Sequence, residues 1–165
     1  MSRANLSRCW HCMACSGGCP FSTDMDVMPN AVLRMVQFGL KEQVLKTSTI
    51  WICVGCNTCS TECPNAIDIA AVMDALRQVA LMEKTEIPEP GILAFHNAVV
   101  GSIGRYGRTH KLDIMMRYKL SERQVFSDMD LGLKMLSKRK LDLLPSKVRN
   151  KTAVRSMFED AGGVG

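Results

Sequence analysis

Apolar residues recur at helical spacing in the segment 29–40. Three of them are four positions apart: Val32, Val36 and Leu40. This spacing places them on one face of a helix, for which Pro29 suits the first turn and Gly39 the end. Polar residues just before the segment are candidate N-caps: Thr23, Asp24 and Asp26. A short second helix is predicted over 41–46.

A longer helix is predicted over 69–80. Its apolar residues are spaced by three and four: Ile69, Val72, Met73, Leu76, Val79 and Ala80. Asp68 stands directly before them and is the predicted N-cap. The segments between these helices contain neither alternating apolar strands nor hairpin turns. The pattern therefore predicts an all-α fold.

Helical patterns continue beyond TEIPEPG at 85–91, which has the composition of a linker. A short helix is predicted over 92–100. The glycine-rich GSIGRYGRTHK that follows is predicted to form a turn that presents Arg105 and Arg108 to a partner. Two further helix signals are a capping box at 121–124 and an amphipathic stretch at 152–159.

Charge and pattern together divide the chain into two parts. Residues 1–84, which contain all the cysteines of the chain, are predicted to form one domain. Residues 85–165 are predicted to form a helical, basic extension for docking to other subunits. Residues 1–100 carry 7 Lys and Arg against 9 Asp and Glu, whereas residues 101–165 carry 14 against 7. The basic run is either a solvated face or a docking surface for an acidic partner. No nucleic acid is expected as a partner, because aromatic stacking residues are lacking.

The chain is predicted to be cytoplasmic, with no membrane span. Its first residues, MSRANLSRCW, lack the apolar segment of a secretory signal. The most apolar stretch, 91–104, is too short for a membrane span and is interrupted by polar residues: His96, Asn97 and Ser102.

All eight cysteines fall in two runs with the same spacing, CWHCMACSGGCP at 9–20 and CVGCNTCSTECP at 53–64. Each run has three cysteines at two-residue gaps, a fourth after three more residues, and then proline. This is the bacterial run for iron–sulfur ligation, in which the fourth cysteine binds the other cluster of a two-cluster protein. Because a helix is predicted after each run, the chain is expected to repeat a unit of loop and helix.

The runs therefore predict two [4Fe-4S] clusters bound by eight thiolates. A loop with two-residue gaps can wrap three thiolates around one cubane, and the other run supplies the fourth. The first cysteine set is predicted to comprise Cys9, Cys12, Cys15 and Cys63. The second cysteine set is predicted to comprise Cys53, Cys56, Cys59 and Cys19.

Zinc and disulfides are the alternatives for these cysteines. Zinc sites use pairs of Cys-x2-Cys, often with histidine, which leaves the third cysteine and the proline of each run without a role. Disulfides suit small secreted chains, and these runs are too tight for many bridges to close. A zinc-stabilised nucleic-acid-binding module is accordingly the less favoured function.

Several segments together resemble the iron–sulfur C subunit of heterodisulfide reductase. They are the two cysteine runs, the helical spacer between them, AIDIAAVMDALRQVA, the GRYGR segment and the ending LLPSKVRNKTAVRSMF. The resemblance implies the α-helical ferredoxin fold that also occurs in succinate dehydrogenase and fumarate reductase. It implies that electrons pass from the A subunit, which holds flavin and iron–sulfur clusters, to the disulfide-reducing B subunit, which has CCG motifs.

The resemblance also implies a hetero-oligomeric oxidoreductase in which this chain is the electron-transfer component. The sequence contains no CCG motif and no flavin or nucleotide fingerprint, and we predict no catalytic residue in it. The alternative within the same class is the helical dicluster component of another oxidoreductase, of the glycolate, glycerol-3-phosphate or succinate type.

Overall fold

The computed structural model describes residues 4–121, 134–135, 137–138, 148 and 150–160. Every regular element within these residues is helical, which confirms the predicted all-α fold. The α-helices are α1 (Ala14–Gly17), α2 (Pro29–Gln37), α3 (Lys41–Leu45), α4 (Thr49–Ile52), α5 (Thr58–Thr61), α6 (Ile69–Met82), α7 (Pro90–Tyr106), α8 (Lys111–Ser121) and α9 (Lys151–Asp160). The chain divides into two compact units, Met1–Pro90 and Gly91–Gly165.

Helix α2 begins and ends where the sequence predicts. Pro29 is its first residue, and Gly39 adopts a left-handed conformation with φ of +71° just beyond its end. The Gly39 amide donates to the Val36 carbonyl, and the Leu40 amide donates to the Met35 carbonyl at 2.9 Å. These two bonds satisfy the last carbonyls of the helix and make up a Schellman motif. The short helix predicted next is present as α3.

The predicted N-caps of α2 are wrong. Met28 occupies that position, and no side chain of Thr23, Asp24 or Asp26 caps the helix. The carboxylate of Asp26 instead accepts hydrogen bonds from the backbone amides of Ser48 at 3.0 Å and Thr49 at 2.9 Å. It thus satisfies free amides at the start of α4, which a sequence-local rule does not foresee.

The same hydrogen bonds act on the ionisation of Asp26. Partial burial favours the neutral acid, but the bonds donated by the side chain and backbone of Thr49 and by Ser48 outweigh it. The pKa of the Asp26 carboxyl is therefore lower than usual.

Helix α6 is capped as predicted. The Asp68 carboxylate accepts a hydrogen bond from the Ala71 amide at 3.0 Å. Four of the six predicted apolar positions are buried: Ile69, Val72, Met73 and Ala80. The other two, Leu76 and Val79, are half-buried.

Four helices supply the core of the first unit. Its buried side chains include Val32 and Leu33 of α2, Val44 and Leu45 of α3, Ile50 and Trp51 of α4, and Ile69 and Met73 of α6. Helix α2 packs against α1, and α6 packs against α5. Because α1 and α5 lie inside the two cysteine runs, both runs are attached to this core.

The second unit corrects the prediction for the glycine-rich segment. Helix α7 continues through Gly101 and Gly104 to Tyr106, and the turn begins at Gly107, with φ of +79°. The fully buried hydroxyl of Ser102 accepts a hydrogen bond from the His110 amide at 2.9 Å, which ties α7 to the start of α8.

Arg105 accordingly lies within α7 and not in a turn. Its guanidinium is 3.6 Å from the carboxylate of Asp113 in α8. Asp113 also accepts from Arg117 at 3.1 Å. Arg105 therefore has a partner within its own unit, and its predicted role in docking loses its main support.

The final predicted helix is present as α9. In the predicted capping box, all but Ser121 lies outside the described residues, as does most of the basic segment at 139–149. In the part of the chain that the structure describes, no helix combines the length and apolar composition needed to cross a membrane.

Replacing Asp26 by asparagine is expected to lower the free energy of unfolding by about 1 kcal/mol, because the amide nitrogen that replaces Oδ2 cannot accept the hydrogen bond from the Ser48 amide. Because the pKa of Asp26 is depressed, its carboxylate stabilises the fold above the usual pKa, and this stabilisation disappears only as pH falls through the folded-state value. The loss should therefore be the same at pH 8 and pH 5, as measured by anaerobic urea denaturation.

The matched control is Asp24→Asn, since Asp24 is exposed and does not cap α2. This control should unfold at the wild-type urea concentration. An equal loss in both variants would show that the effect of Asp26→Asn comes from removing any negative charge, and the capping role would be rejected.

Candidate metal centre

The two cysteine runs adopt the same backbone conformation. Two residues in each run have positive φ, at the second and fourth positions after its first cysteine. They are His11 and Met13, both at +66°, in the first run, and Gly55 at +66° and Asn57 at +63° in the second. Each run then forms one helical turn, α1 or α5. Met13 and Asn57 are left-handed residues that directly precede helical ones, and such a pair turns successive amides toward one point, where they can bind an anion. The repeated unit predicted from sequence is thus visible in the backbone.

Exposure of the cysteines also follows the repeat. Cys15 and Cys59, the third of each run, are 6% and 9% exposed. Cys12 and Cys56, the second of each run, are exposed to solvent. The remaining cysteines are half-buried, and none of the eight cysteines forms a disulfide: Cys9, Cys12, Cys15, Cys19, Cys53, Cys56, Cys59 and Cys63.

Two cavities lie among these cysteines, and each is lined by four of them. The first cavity, about 300 Å³ with its opening to solvent included, is lined by Cys9, Cys12, Cys15 and Cys63. The second cavity, about 380 Å³ on the same measure, is lined by Cys53, Cys56, Cys59 and Cys19. Each cavity thus has three cysteines from one run and the fourth from the other.

Direct contact between the runs explains this sharing. Helix α1 packs against α5, and a methyl group added at Gly18 would lie 3.1 Å from the Glu62 side chain. The Asn65 side chain donates to the Arg8 carbonyl at 2.7 Å, which ties the end of the second run to the start of the first. The last cysteine of each run therefore reaches the cavity of the other.

The exposed cysteines have lowered thiol pKa values. For Cys12 the main cause is a hydrogen bond from the Ala14 backbone, followed by one from the Trp10 side chain. For Cys56 the main causes are the hydroxyl and backbone of Thr58, and the hydroxyl oxygen lies 3.4 Å from the sulfur. These donors favour the thiolate, which is the form that binds metal.

The buried cysteines show the opposite shift. Burial raises the pKa of the Cys15 thiol, and burial with the charge of Cys53 raises that of Cys59 to about 11. A thiolate at either position needs a nearby positive charge, and a coordinated metal supplies it and removes the proton. The donor set of each cavity therefore fits a metal centre.

A serine after each buried cysteine connects the cavity to the following helix. The Ser16 hydroxyl accepts from the Asn30 amide of α2 at 3.0 Å. The Ser60 hydroxyl accepts from the Ile69 and Ala70 amides of α6 at 3.0 and 3.2 Å. The sequence analysis does not predict these serine caps. The serine that follows the third cysteine in both runs is the signal that could have identified them.

Polar side chains border the first cavity beside its cysteines. The buried Asn30 donates from Nδ2 to His11 at 3.1 Å, and its Oδ1 accepts from the Ser16 hydroxyl at 2.5 Å. Trp10 also borders this cavity and is 67% exposed, whereas Trp51 is 2% exposed in the core. Among the described residues, the eight cysteines included, no three histidine, cysteine, aspartate or glutamate side chains converge closely enough to hold a single ion.

Residues 5–67 match the 4Fe-4S dicluster domain family. The chain is also similar to curated proteins of methanogens. It is 30% identical over 76 residues to the iron–sulfur C subunit of the CoB–CoM heterodisulfide reductase of Methanopyrus kandleri, covering 46% of this chain and 40% of that protein. With the second such C subunit of Methanocaldococcus jannaschii it shares 34% over 76 residues, with the same coverage.

A third relative is the C subunit of the H2:CoB–CoM heterodisulfide,ferredoxin reductase of Methanothermobacter marburgensis. It is 28% identical over 98 residues, which are 59% of this chain and 49% of the relative. The chain thus spans about half or less of the length of these relatives. By its cysteine runs, its helical fold and these comparisons, the chain is similar to the C subunits of heterodisulfide reductases, and its residues 5–67 match the 4Fe-4S dicluster domain family.

Proposed function

We propose that this chain is the electron-transfer iron–sulfur component of a heterodisulfide reductase-like complex and binds two [4Fe-4S] clusters. The observation that carries the proposal is the pair of cavities, each lined by four cysteines shared between the runs. The first cysteine set would hold one cluster and the second cysteine set the other.

The residues around each cavity suit a cubane better than a single zinc ion. Zinc requires its thiolates to converge on one point at about 2.3 Å, whereas among the described residues no three cysteine side chains converge closely enough to hold a single ion. Amides turned inward by the left-handed residues can donate to cluster sulfurs. When bound, a [4Fe-4S] cluster accepts and releases one electron at a time.

The protein controls access to these two centres. It buries Cys15 and Cys59 against the core and leaves Cys12 and Cys56 at the surface. A redox partner can therefore approach each centre from the side of an exposed ligand. Because cysteines stay reduced in the cytosol and thus remain available as cluster ligands, we propose that the protein is cytoplasmic.

The names of the relatives suggest the partners. Those proteins are C subunits of CoB–CoM heterodisulfide reductases. We therefore propose that the neighbours of this chain are the A subunit, with flavin and iron–sulfur clusters, and the B subunit, with CCG motifs. The segment 85–165, which is basic beyond residue 100, would serve as the docking extension. In this complex the chain transfers electrons and has no catalytic residue of its own.

The full chain purified without oxygen is expected to contain about eight irons and eight acid-labile sulfides, four of each per cluster. Its reduced form should give the interacting EPR signals of two neighbouring centres. Chelation or air oxidation should remove the colour and lower the urea concentration needed to unfold the first unit, because metal binding is linked to folding. A colourless preparation that contains zinc would contradict the proposal.

Sharing of cysteines between runs predicts opposite results for two double variants. Cys12→Ala with Cys63→Ala removes two ligands of the first cysteine set, so about half of the iron should remain. Cys12→Ala with Cys19→Ala removes one ligand from each set, so iron should fall far below half. Metal analysis and EPR of the anaerobic proteins measure both. The reverse pattern would show that each run holds a cluster with its own four cysteines.

Anaerobic co-purification of the tagged full chain tests the complex. The expected partners contain a flavin domain in one case and CCG motifs in the other. Stable recovery of a glycolate- or glycerol-phosphate-type dehydrogenase in their place would favour the alternative complex while leaving the cluster assignment intact.

A further inference from the structure

The two cavities are built from matching positions of the repeat. Cysteines that line them are related by 44 positions, as in Cys9 and Cys53 or Cys19 and Cys63. Residues from the helices are related by 40 positions: Pro29 with Ile69, Asn30 with Ala70, and Leu33 with Met73. Differences between the two centres can therefore be located position by position.

Exposure of the cysteines does not distinguish the centres. The second and third cysteines of each run are alike in exposure, and so are the first and fourth. Each exposed cysteine also has one side-chain donor, Trp10 at Cys12 and Thr58 at Cys56. Solvent access and direct donors to the exposed ligand thus act almost equally on both centres.

The remaining polar groups are distributed unequally. At three matched positions the first centre has a polar side chain where the second has none: His11 against Gly55, Asn30 against Ala70, and Asn65 against Phe21. The reverse holds among the cavity-lining positions at Asn57, which is matched by Met13. We call His11, Asn30 and Asn65 the polar shell of the first cavity.

Hydrogen bonds fix the direction of two members of the polar shell. The Ser16 hydroxyl accepts from the Asn30 backbone amide and donates to Asn30 Oδ1. The Asn30 amide nitrogen must then face His11, and it lies 3.1 Å from Nε2 and 3.5 Å from Nδ1. An amide nitrogen only donates, so the nearer ring nitrogen, Nε2, accepts in the tautomer that carries its hydrogen on Nδ1. His11 and Asn30 therefore place side-chain N–H groups beside the cysteines of the first cavity, while Asn65 donates to the Arg8 carbonyl.

A reduced cluster carries one more negative charge than the oxidised cluster. Donor groups oriented toward it stabilise that charge, and more strongly where water is excluded, so they raise the reduction potential. We propose that the polar shell gives the cluster of the first cysteine set the higher potential of the two, so that the electron of a singly reduced chain resides there. This inference rests on the proposed function, since it requires a cluster in each set.

The repeat supplies the variants for a test. His11→Gly with Asn30→Ala gives the first cavity the residues of the second. Glycine is favoured at residue 11 because φ is +66°. His11→Gly alone is measured alongside, because Asn30→Ala also leaves the buried Ser16 hydroxyl without its acceptor. The matched reciprocal variant is Asn57→Met, which gives the second cavity the Met13 residue at a similar φ.

The two potentials of each anaerobic full-length protein are measured by EPR-monitored redox titration at a single pH. We expect the higher potential to fall in His11→Gly with Asn30→Ala by the equivalent of at least tenfold in the reduction equilibrium, which is 59 mV for one electron. The higher potential should fall by less in His11→Gly alone. The lower potential should be unchanged in both variants. Asn57→Met should lower only the lower potential.

Other outcomes overturn the inference. A fall in the lower potential of the first-cavity variants would show that the first set holds the low-potential cluster. If both reduction potentials change by less than the equivalent of threefold in the equilibrium constant for reduction, the polar shell does not tune either cluster. Iron and sulfide analysis of the wild-type chain distinguishes failure of this inference from failure of the proposed function. Clusters would be missing from the wild-type chain only if the proposed function were wrong.

Discussion

Contact between the two cysteine runs is the constraint on which the rest of the first unit depends. Because α1 lies against α5, and Asn65 binds the backbone of Arg8, the last cysteine of each run lies at the cavity of the other. Neither cavity has its four cysteines without both runs. Both proposed cluster sites therefore depend on the same contact within the first unit, and electron transfer between two bound clusters would occur inside that unit.

Serine hydroxyls extend this dependence to the helices. Ser16 and Ser60 each follow a buried cysteine and bind the first amides of the helix that packs behind it. The start of α2 and the start of α6 are thereby fixed relative to the sulfurs. The same helices contribute Leu33 and Met73 both to the hydrophobic core and to the cavity walls, so packing in the core sets the shape of the sites.

The sequence predicted what local chemistry determines. Pro29, Gly39 and Asp68 mark helix ends correctly because their signals act within a few residues. Asp26 was misassigned because its carboxylate binds amides 22 and 23 residues further on. Helix α8 is not evident from the sequence, because its apolar residues do not form a single face and only Ile114 is buried. The spacing of the cysteines is enough to predict them as the candidate ligands. The polar side chains that differ between the cavities become evident only once the positions of the helices are known.

The repeat also has a built-in asymmetry. The runs are related by 44 positions and the helices by 40, so the connection from Cys19 to Pro29 is four residues longer than the one from Cys63 to Ile69. Asp26 lies in this longer connection and accepts hydrogen bonds from the backbone just before the second run. Two halves with connections of equal length would lack these hydrogen bonds. The longer connection therefore makes the two halves unequal, since the first half stabilises the backbone that leads into the second run.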